Sequence, residues 1–309
     1  MLGGMEQQSF LERMKLHVTA DFLRGILFIY AVSMVSPIIY GMLSSGRVCG
    51  FYGCTDGWMM FAFYGVFCLV FLTLAMMLLL RMRYCAVSVL GILSVFFVVN
   101  VVGFFLVALP QLLNPSGEFL PSVSSSVFGA VQRWSHDIFL IVCAVWLYKW
   151  SKDSPLTKRQ PFLEQIKIGA NSDFLRGILF AYATSWVWHF VFSLLTCGHR
   201  SWSYRISDTW LWNAFLLIIA LAYCAIAVVL FMQTRRCAKF TLAALVVLLA
   251  IDAQELFVYS QPILQRLSAL SAESFAAYIR FEAWRWFVKI FFIALAAWFY
   301  KKSKVSTAG

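Results

Sequence analysis

The sequence predicts an all-α integral membrane protein of eight transmembrane helices, built as two parallel four-helix repeats related by a pseudo-twofold axis along the membrane normal. Three observations lead to this prediction: the composition, the length of the apolar runs and an internal repeat at one constant offset. Of the 309 residues, 62% are hydrophobic and 13% are charged, whereas a soluble domain carries charge at about a quarter of its positions. The composition therefore predicts that lipid surrounds most of the chain.

Eight apolar runs are long enough to cross a hydrocarbon layer about 30 Å thick, which takes roughly 20 helical residues. They lie near 22–43, 57–80, 84–109, 129–148, 174–195, 210–232, 237–259 and 281–300. The first run is similar to a signal peptide, but its internal twin at 174–195 cannot be cleaved away, so we expect both to be retained helices.

One octapeptide occurs twice without change. The segment Asp21–Phe28 (DFLRGILF) recurs as Asp173–Phe180, at an offset of 173 − 21 = 152 residues, and the same offset relates further residues without a gap. Among them are Trp58 and Trp210, Arg83 and Arg235, Cys85 and Cys237, and Arg133–Trp134 and Arg285–Trp286. The offset predicts two units, 1–156 and 157–309, each beginning with a short amphipathic helix on the membrane surface. Four spans in each unit give both units the same orientation.

The basic residues predict the orientation of the chain. The side that holds both termini carries 17 of the 25 Lys and Arg residues but 6 of the 14 acidic ones, and therefore the whole net charge of +11. Loops rich in Lys and Arg stay in the cytoplasm, so we expect both termini there. The outer segments contain no glycosylation sequon, which favours a bacterial inner membrane. The positive charge is expected to face lipid headgroups and not nucleic acid.

Ionisable residues deep inside the predicted spans are the strongest functional signal, because each costs roughly 2.5–3.5 kcal/mol even on the lenient insertion scale. A rise of ~1.5 Å per residue places Asp252, His189 and Arg285 about 24 Å from the inner ends of their helices, with Glu255 one turn beyond Asp252. We expect an outward-facing polar pocket in the second unit, where Asp252 and Glu255 bind a cation or proton and Arg285 is the counter-charge. A structural ion pair, or helix ends closer to water, would explain the same residues.

A second pair of charges comes from the repeat itself. Asp137 and Lys289 are equivalent positions on the last helices of the two units and carry opposite charges. If these helices meet at the pseudo-axis, the two side chains would form an inter-repeat ion pair that docks one unit on the other. The rival interpretation pairs Lys289 with Asp252, whose equivalent in the first unit is Asn100.

Asp21 and Arg24, repeated as Asp173 and Arg176, lie at the inner mouth of the first helix of each unit. Residues three apart share one helix face. In the structural interpretation, Asp caps the helix and Arg extends its side chain to lipid phosphates. In the functional interpretation, the two pairs form an inner gate.

Cys49 and Cys54 flank a turn-rich Gly-Phe-Tyr-Gly segment in the first outer loop. They could form a small disulfide if that side is oxidising, and free thiols are the alternative. The eight cysteines show no CxxC or Cys/His spacing typical of zinc, and His189 and His136 alone give little support for haem. No metal or cofactor is therefore expected.

A duplicated bundle with a buried acidic pair favours a small transporter-like or ion/proton permeation protein. No motif for nucleotide hydrolysis or other hydrolytic chemistry is present, so the sequence gives no support for an enzyme. A non-catalytic partner in the membrane, such as an immunity protein against a toxin or an assembly subunit of a membrane complex, fits the short loops equally well. A lipid-modifying enzyme would need His189, Asp252 and Glu255 to cluster near a headgroup plane. The sequence specifies neither the substrate nor the oligomeric state.

Overall fold

The computed structural model describes residues 18–45, 48–50, 53–55, 58–81, 84–109, 123–152, 170–196, 210–232, 236–267 and 272–306. Within these ranges the chain forms eight α-helices, one short π-helix and one two-stranded hairpin. In chain order they are α1 Ala20–Ser45, β1 Val48–Gly50, β2 Gly53–Thr55, α2 Trp58–Leu79, α3 Cys85–Gly103, the π-helix Phe104–Ala108, α4 Val123–Lys152, α5 Ser172–Thr196, α6 Trp210–Phe231, α7 Cys237–Leu267 and α8 Ala272–Ser306. A helix lies at each of the eight apolar runs, so the predicted helical class is confirmed.

The helices of the second unit begin where the offset of 152 residues predicts. This holds for Ala20 and Ser172, for Trp58 and Trp210, and for Cys85 and Cys237. The last helices differ, because α8 begins three positions earlier than the offset from α4 would give (123 + 152 = 275). Equivalent local sequences thus form equivalent helices. The amphipathic segments expected before α1 and α5 lie outside the described residues.

The first helix of each unit is capped by a polar residue that precedes the repeated octapeptide. Thr19 Oγ1 accepts a hydrogen bond from the Phe22 backbone N–H at 3.2 Å, and Asn171 Oδ1 accepts one from the Phe174 N–H at 2.9 Å. Both bonds satisfy an amide that the helix itself leaves without a partner. The expectation that the aspartate two residues later is the cap was wrong, and this frees its carboxylate for other contacts.

Three helical stretches within the described residues are long and apolar enough to cross a membrane: Cys85–Leu106, Cys237–Gln254 and Glu282–Ser303. Two shorter apolar helices, Gly65–Leu79 and Leu217–Phe231, accompany them. Only 17% of the most apolar window of the first stretch is buried inside the protein, and 28% in each of the other two. An apolar surface of this extent is suited to lipid or to another apolar partner.

Buried apolar side chains form two clusters, one in each unit. The first runs from Val18 to Leu147 and the second from Ala170 to Phe299. Phe28 of α1 and Phe180 of α5 pack against both clusters. The two units therefore meet along their first helices.

The contact between α1 and α5 is close enough to require glycine on both sides. A Cβ atom on Gly25 would lie 2.1 Å from the carbonyl oxygen of Phe174, and one on Gly177 would lie 2.0 Å from that of Phe22. Small residues allow helix backbones to approach in this way. The four residues are related in pairs by the offset of 152, so the contact is reciprocal.

Aromatic contacts across α1 and α5 show the same reciprocity. The ring of Phe22 lies 5.2 Å from that of Phe180, and the ring of Phe28 lies 5.3 Å from that of Phe174. All four belong to the repeated octapeptide. Its two copies therefore contact each other, which gives a packing reason for their identity.

Candidate functional site

Two buried arginines lie where the first helix of each unit meets the end of the second. Arg24 is 4% exposed and Arg176 is 1% exposed. Arg24 Nε donates to the Leu78 carbonyl at 2.9 Å, and Arg176 Nη1 donates to the equivalent Leu230 carbonyl at 3.4 Å. These carbonyls end α2 and α6, where helices leave acceptors unsatisfied and favour positive charge. The expectation that both arginines extend to lipid phosphates was therefore wrong.

The two aspartates connect the units to each other. Asp21 accepts hydrogen bonds from Arg24, from Arg81 after α2, and from Asn171 of the second unit. In the reciprocal contact, Thr19 Oγ1 donates to Asp173 Oδ2 at 2.9 Å. We call this set, with Arg176 paired to Asp173 at 3.3 Å, the inter-unit latch. It packs the two units together, and the inner gate stays a prediction.

Lys289 of α8 forms an ion pair with Asp252 of α7 through Nζ and Oδ2. The side chains are 7% and 19% exposed. The expected inter-repeat ion pair between Asp137 and Lys289 is therefore wrong, and the rival interpretation holds. The physical reason is the helix packing: α8 lies beside α7 of its own unit, so Lys289 reaches Asp252.

A small cleft opens beside this ion pair. Asp252 and Lys289 line it together with Tyr182 of α5, Tyr223 of α6 and apolar side chains of α7 and α8. Its volume is about 10 Å³, close to the roughly 10–15 Å³ that a single water molecule needs. The cleft has room for water or a small ion.

One aromatic ring lies near the charged end of Lys289, and others stack beside the cleft. Its Nζ lies 5.7 Å from the centre of the Trp186 ring, close enough for a cation–π interaction. Phe292 stacks at 3.7 Å on Tyr182, which lines the cleft. At the positions equivalent to Trp186 and Phe292 the first unit has Met34 and Leu140, so these two rings are particular to the second unit.

Of the other residues expected in the pocket, Arg285 and His189 are described. Arg285 Nε lies 3.2 Å from Glu282 Oε2 on the same helix, so it is not the counter-charge of Asp252. That role belongs to Lys289, one turn further along α8. The exposed His189 does not line the cleft, and its ring lies 5.8 Å from that of Trp186. The side chain of Glu255 lies outside the described residues.

The first unit has a polar contact at the place equivalent to the Asp252–Lys289 ion pair, and the sequence did not predict it. We call these two contacts the polar bridges. Asn100 Nδ2 of α3 donates to Asp137 Oδ2 of α4 at 3.1 Å. Tyr30 Oη donates to Asp137 Oδ1 at 3.3 Å. The repeat could have predicted this contact. At the offset of 152 residues, Asn100 and Asp137 are equivalent to Asp252 and Lys289, so a contact between one pair implies a contact between the other. Both units thus join their third and fourth helices at the same place.

Cys49 and Cys54 face each other in the backbone of the hairpin. The antiparallel register pairs Cys49 with Cys54 and Gly50 with Gly53. Opposed cysteines on neighbouring strands are close enough in sequence and space for a disulfide. Their side chains lie outside the described residues, so the disulfide stays a prediction.

No group of three or more His, Cys, Asp or Glu side chains within the described ranges is placed to hold a metal ion. The chain matches no known family model, no curated protein and no solved structure.

Proposed function

We propose that the chain is a multi-pass membrane protein whose eight helices all span the bilayer, with both termini in the cytoplasm of a bacterial cell. In this proposal the two four-helix units lie parallel, related by a pseudo-twofold axis along the membrane normal. Three long apolar helices and their exposed apolar faces support a membrane location. The reciprocal contacts between α1 and α5 support the pseudo-twofold relation.

We further propose that this protein conducts protons or small cations across the membrane. The observation that carries the proposal is the ion pair of Asp252 and Lys289 at the edge of the cleft. Charges inside the hydrocarbon layer are costly and, where present, commonly line ion pathways or proton relays. The small volume of the cleft favours a proton or a bare ion over an organic substrate.

In this mechanism the ion pair is the gate of the pathway. Removing two charges from water costs several kcal/mol per ion, which a good pair offsets only partly. A proton or cation that reaches Asp252 competes with Lys289 for the carboxylate. Lys289 can then move toward the face of Trp186, where a cation–π interaction partly stabilises it. The pair would close again when the ion leaves.

The proposal is tested by ion flux into proteoliposomes that contain the purified full-length protein. A membrane potential is imposed and proton, Na⁺ and K⁺ entry are followed with entrapped dyes. Asp252→Asn should reduce the flux at least tenfold. Glu282→Gln is the matched control, since it also removes one carboxylate charge from an ion pair of the same unit but does not line the cleft. It should leave the flux unchanged.

Two results would contradict the proposal. Flux no greater than that of empty liposomes, for all three ions, would exclude permeation under an imposed gradient. Flux that is equal in Asp252→Asn and wild type would exclude the cleft as the pathway.

A second candidate function is a partner role, as an immunity protein or an assembly subunit within the membrane. The exposed apolar face of α3 and its π-helical extension favours it, with Leu106 71% exposed and Val95 65% exposed. A photo-reactive amino acid at Leu106 in native membranes should then give one discrete protein adduct. A matched probe at Val247 of α7, which is 58% exposed, should give none. Equal labelling at both positions would indicate lipid contact only.

A further inference from the structure

A buried carboxylate in the first unit has neutral hydrogen-bond partners. Asp137 is 5% exposed. Its Oδ1 accepts from the Tyr30 hydroxyl at 3.3 Å and its Oδ2 from the Asn100 amide at 3.1 Å. Neither partner carries a charge. A helix rise of ~1.5 Å per residue places Asn100 about 22 Å from the start of α3 at Cys85, deep in the proposed span.

The equivalent bridge in the second unit is neutral as a whole. There the carboxylate is on the third helix, as Asp252, and Lys289 on the fourth helix supplies the opposite charge. In the first unit the carboxylate is on the fourth helix, as Asp137, and the third helix offers the uncharged Asn100. One bridge carries no net charge and the other carries one negative charge when Asp137 is ionised. A single buried charge is costly, and such groups commonly take up a proton instead.

The groups around Asp137 come from three helices. The helix α1 contributes Tyr30 and α3 contributes Asn100. On α4 itself, Arg133 lies exposed one turn away, and the exposed His136 places its ring 5.4 Å from that of Tyr30. Arg133 can attract Asp137 electrostatically, but solvent or headgroups screen an exposed charge. Of these, Tyr30 and Asn100 are the groups in hydrogen-bond contact with the carboxylate.

We infer that Asp137 is a proton-binding site, buried between α1, α3 and α4, that alternates between carboxylate and carboxylic acid. The proton comes from a hydronium ion, which is left as water, and it forms one O–H bond at Oδ1, which gives a neutral carboxyl group. Oδ1 is the oxygen that faces the Tyr30 hydroxyl, and a hydroxyl can accept as well as donate. Asn100 Nδ2 can only donate, so it stays on Oδ2. The hydrogen-bond network thus accommodates both protonation states.

A metal cation fits these contacts poorly. Na⁺, K⁺ and divalent ions are held by several oxygen lone pairs, and hard cations such as Ca²⁺ take six to eight of them. The Tyr30 and Asn100 groups instead direct hydrogen atoms at the carboxylate. This inference rests on the proposed membrane permeation function, for which Asp137 would supply a proton-relay site in the first unit.

Infrared spectroscopy of the full-length protein in lipid nanodiscs tests the inference. The C=O stretch of a protonated carboxyl group, with its shift in D₂O, should be present at neutral pH. Asp137→Asn should remove this band. Asp252→Asn is the matched control and should leave it in place, because Asp252 lies in the other unit, where Lys289 is its partner. Tyr30→Phe should shift the band frequency without removing it.

A second variant covers the case in which Asp137→Asn does not fold. Asn100→Lys places an ammonium group opposite Asp137, as Lys289 stands opposite Asp252, and it should remove the band while the protein stays folded. A band that is absent at every pH at which the protein is folded would overturn the inference. So would a band that persists in either variant.

Flux measurements separate this inference from the proposed function. If the band behaves as expected but wild-type proteoliposomes show no flux, the result supports proton binding by Asp137 and refutes the proposed permeation. If flux is present but the band is absent, permeation stands and Asp137 is not the proton-binding site.

Discussion

Replacing Gly25 or Gly177 with alanine should force the two units apart. The new Cβ would lie 2.1 Å from the Phe174 carbonyl oxygen in one case and 2.0 Å from that of Phe22 in the other, where ordinary contact is 3.4 Å or more. The helices α1 and α5 must therefore separate locally by about 1.3 Å. The obstructing atoms are backbone atoms, so no side-chain rotation can relieve the clash.

The magnitude follows from the contacts that this separation weakens. A gap of 0.5–1 Å already loses about a quarter to a half of the dispersion energy between touching atoms, and overpacking generally costs about 1–3 kcal/mol. We expect ~2–3 kcal/mol for each single substitution, because the aromatic contacts and the latch lie on the same interface. That corresponds to about 30- to 150-fold in the unfolding equilibrium. The double variant should cost less than the sum, because the first separation makes room for the second methyl group.

The assay is equilibrium unfolding of the purified protein in mixed micelles, with increasing SDS and Trp fluorescence as the readout. The matched controls are Gly65→Ala and Gly91→Ala, since an added Cβ at either helical glycine meets nothing within 4 Å. These should change stability by less than about 1 kcal/mol, with alanine favoured by helix propensity. If Gly25→Ala and Gly177→Ala are as stable as the controls, or if their effects are additive, the reasoning about α1 and α5 is wrong.

Three further predictions concern the ion pair, the hairpin and the orientation. Lys289→Met should destabilise the protein by up to about 3 kcal/mol in the same SDS titration, the lower end of the range for a fully buried pair, because it leaves the half-buried Asp252 without its partner. Adding Asp252→Leu should restore most of the loss; no restoration would contradict a structural contribution from the pair. Cys49 and Cys54 should resist maleimide labelling in membranes until a reductant is added. By mass spectrometry, the peptide that contains both should be about 2 Da lighter than its reduced form, because a disulfide lacks two hydrogen atoms. Immediate labelling would show free thiols. A phosphatase fused after Gly309 should be inactive, because that end is expected in the cytoplasm and the enzyme folds only outside it; full activity would reverse the orientation.

The helices could be predicted from the sequence because each apolar run is long and contains few breakers. Their ends were less predictable, since polar residues with good helix propensity extend helices past the apolar run. The predicted run near 281–300 becomes α8 Ala272–Ser306, and the run near 129–148 becomes α4 Val123–Lys152. Hydropathy reports where lipid can surround a helix and does not report where its hydrogen bonding stops.

The candidate site was harder to predict, because its partners depend on which helices pack together. The depth of Lys289 and Asp252 could be counted along the chain, but their pairing required α7 and α8 to be neighbours. The burial of Arg24 and Arg176 was missed for another reason. Their acceptors are backbone carbonyls at the ends of α2 and α6. Every residue has a backbone carbonyl, so the residue types do not indicate which one accepts a hydrogen bond.

The reciprocal contact between α1 and α5 also bears on how such a chain can evolve. In a dimer of identical subunits, every mutation appears twice, and a new residue must suit both copies at once. In a tandem chain each copy mutates alone, so one unit can acquire Lys289 while the other keeps Asp137. Positions in the contact between α1 and α5 lack that freedom, since a change on one side meets an unchanged partner on the other. Covariation between the two copies should therefore be concentrated in the octapeptide, and independent drift should be found at the polar bridges.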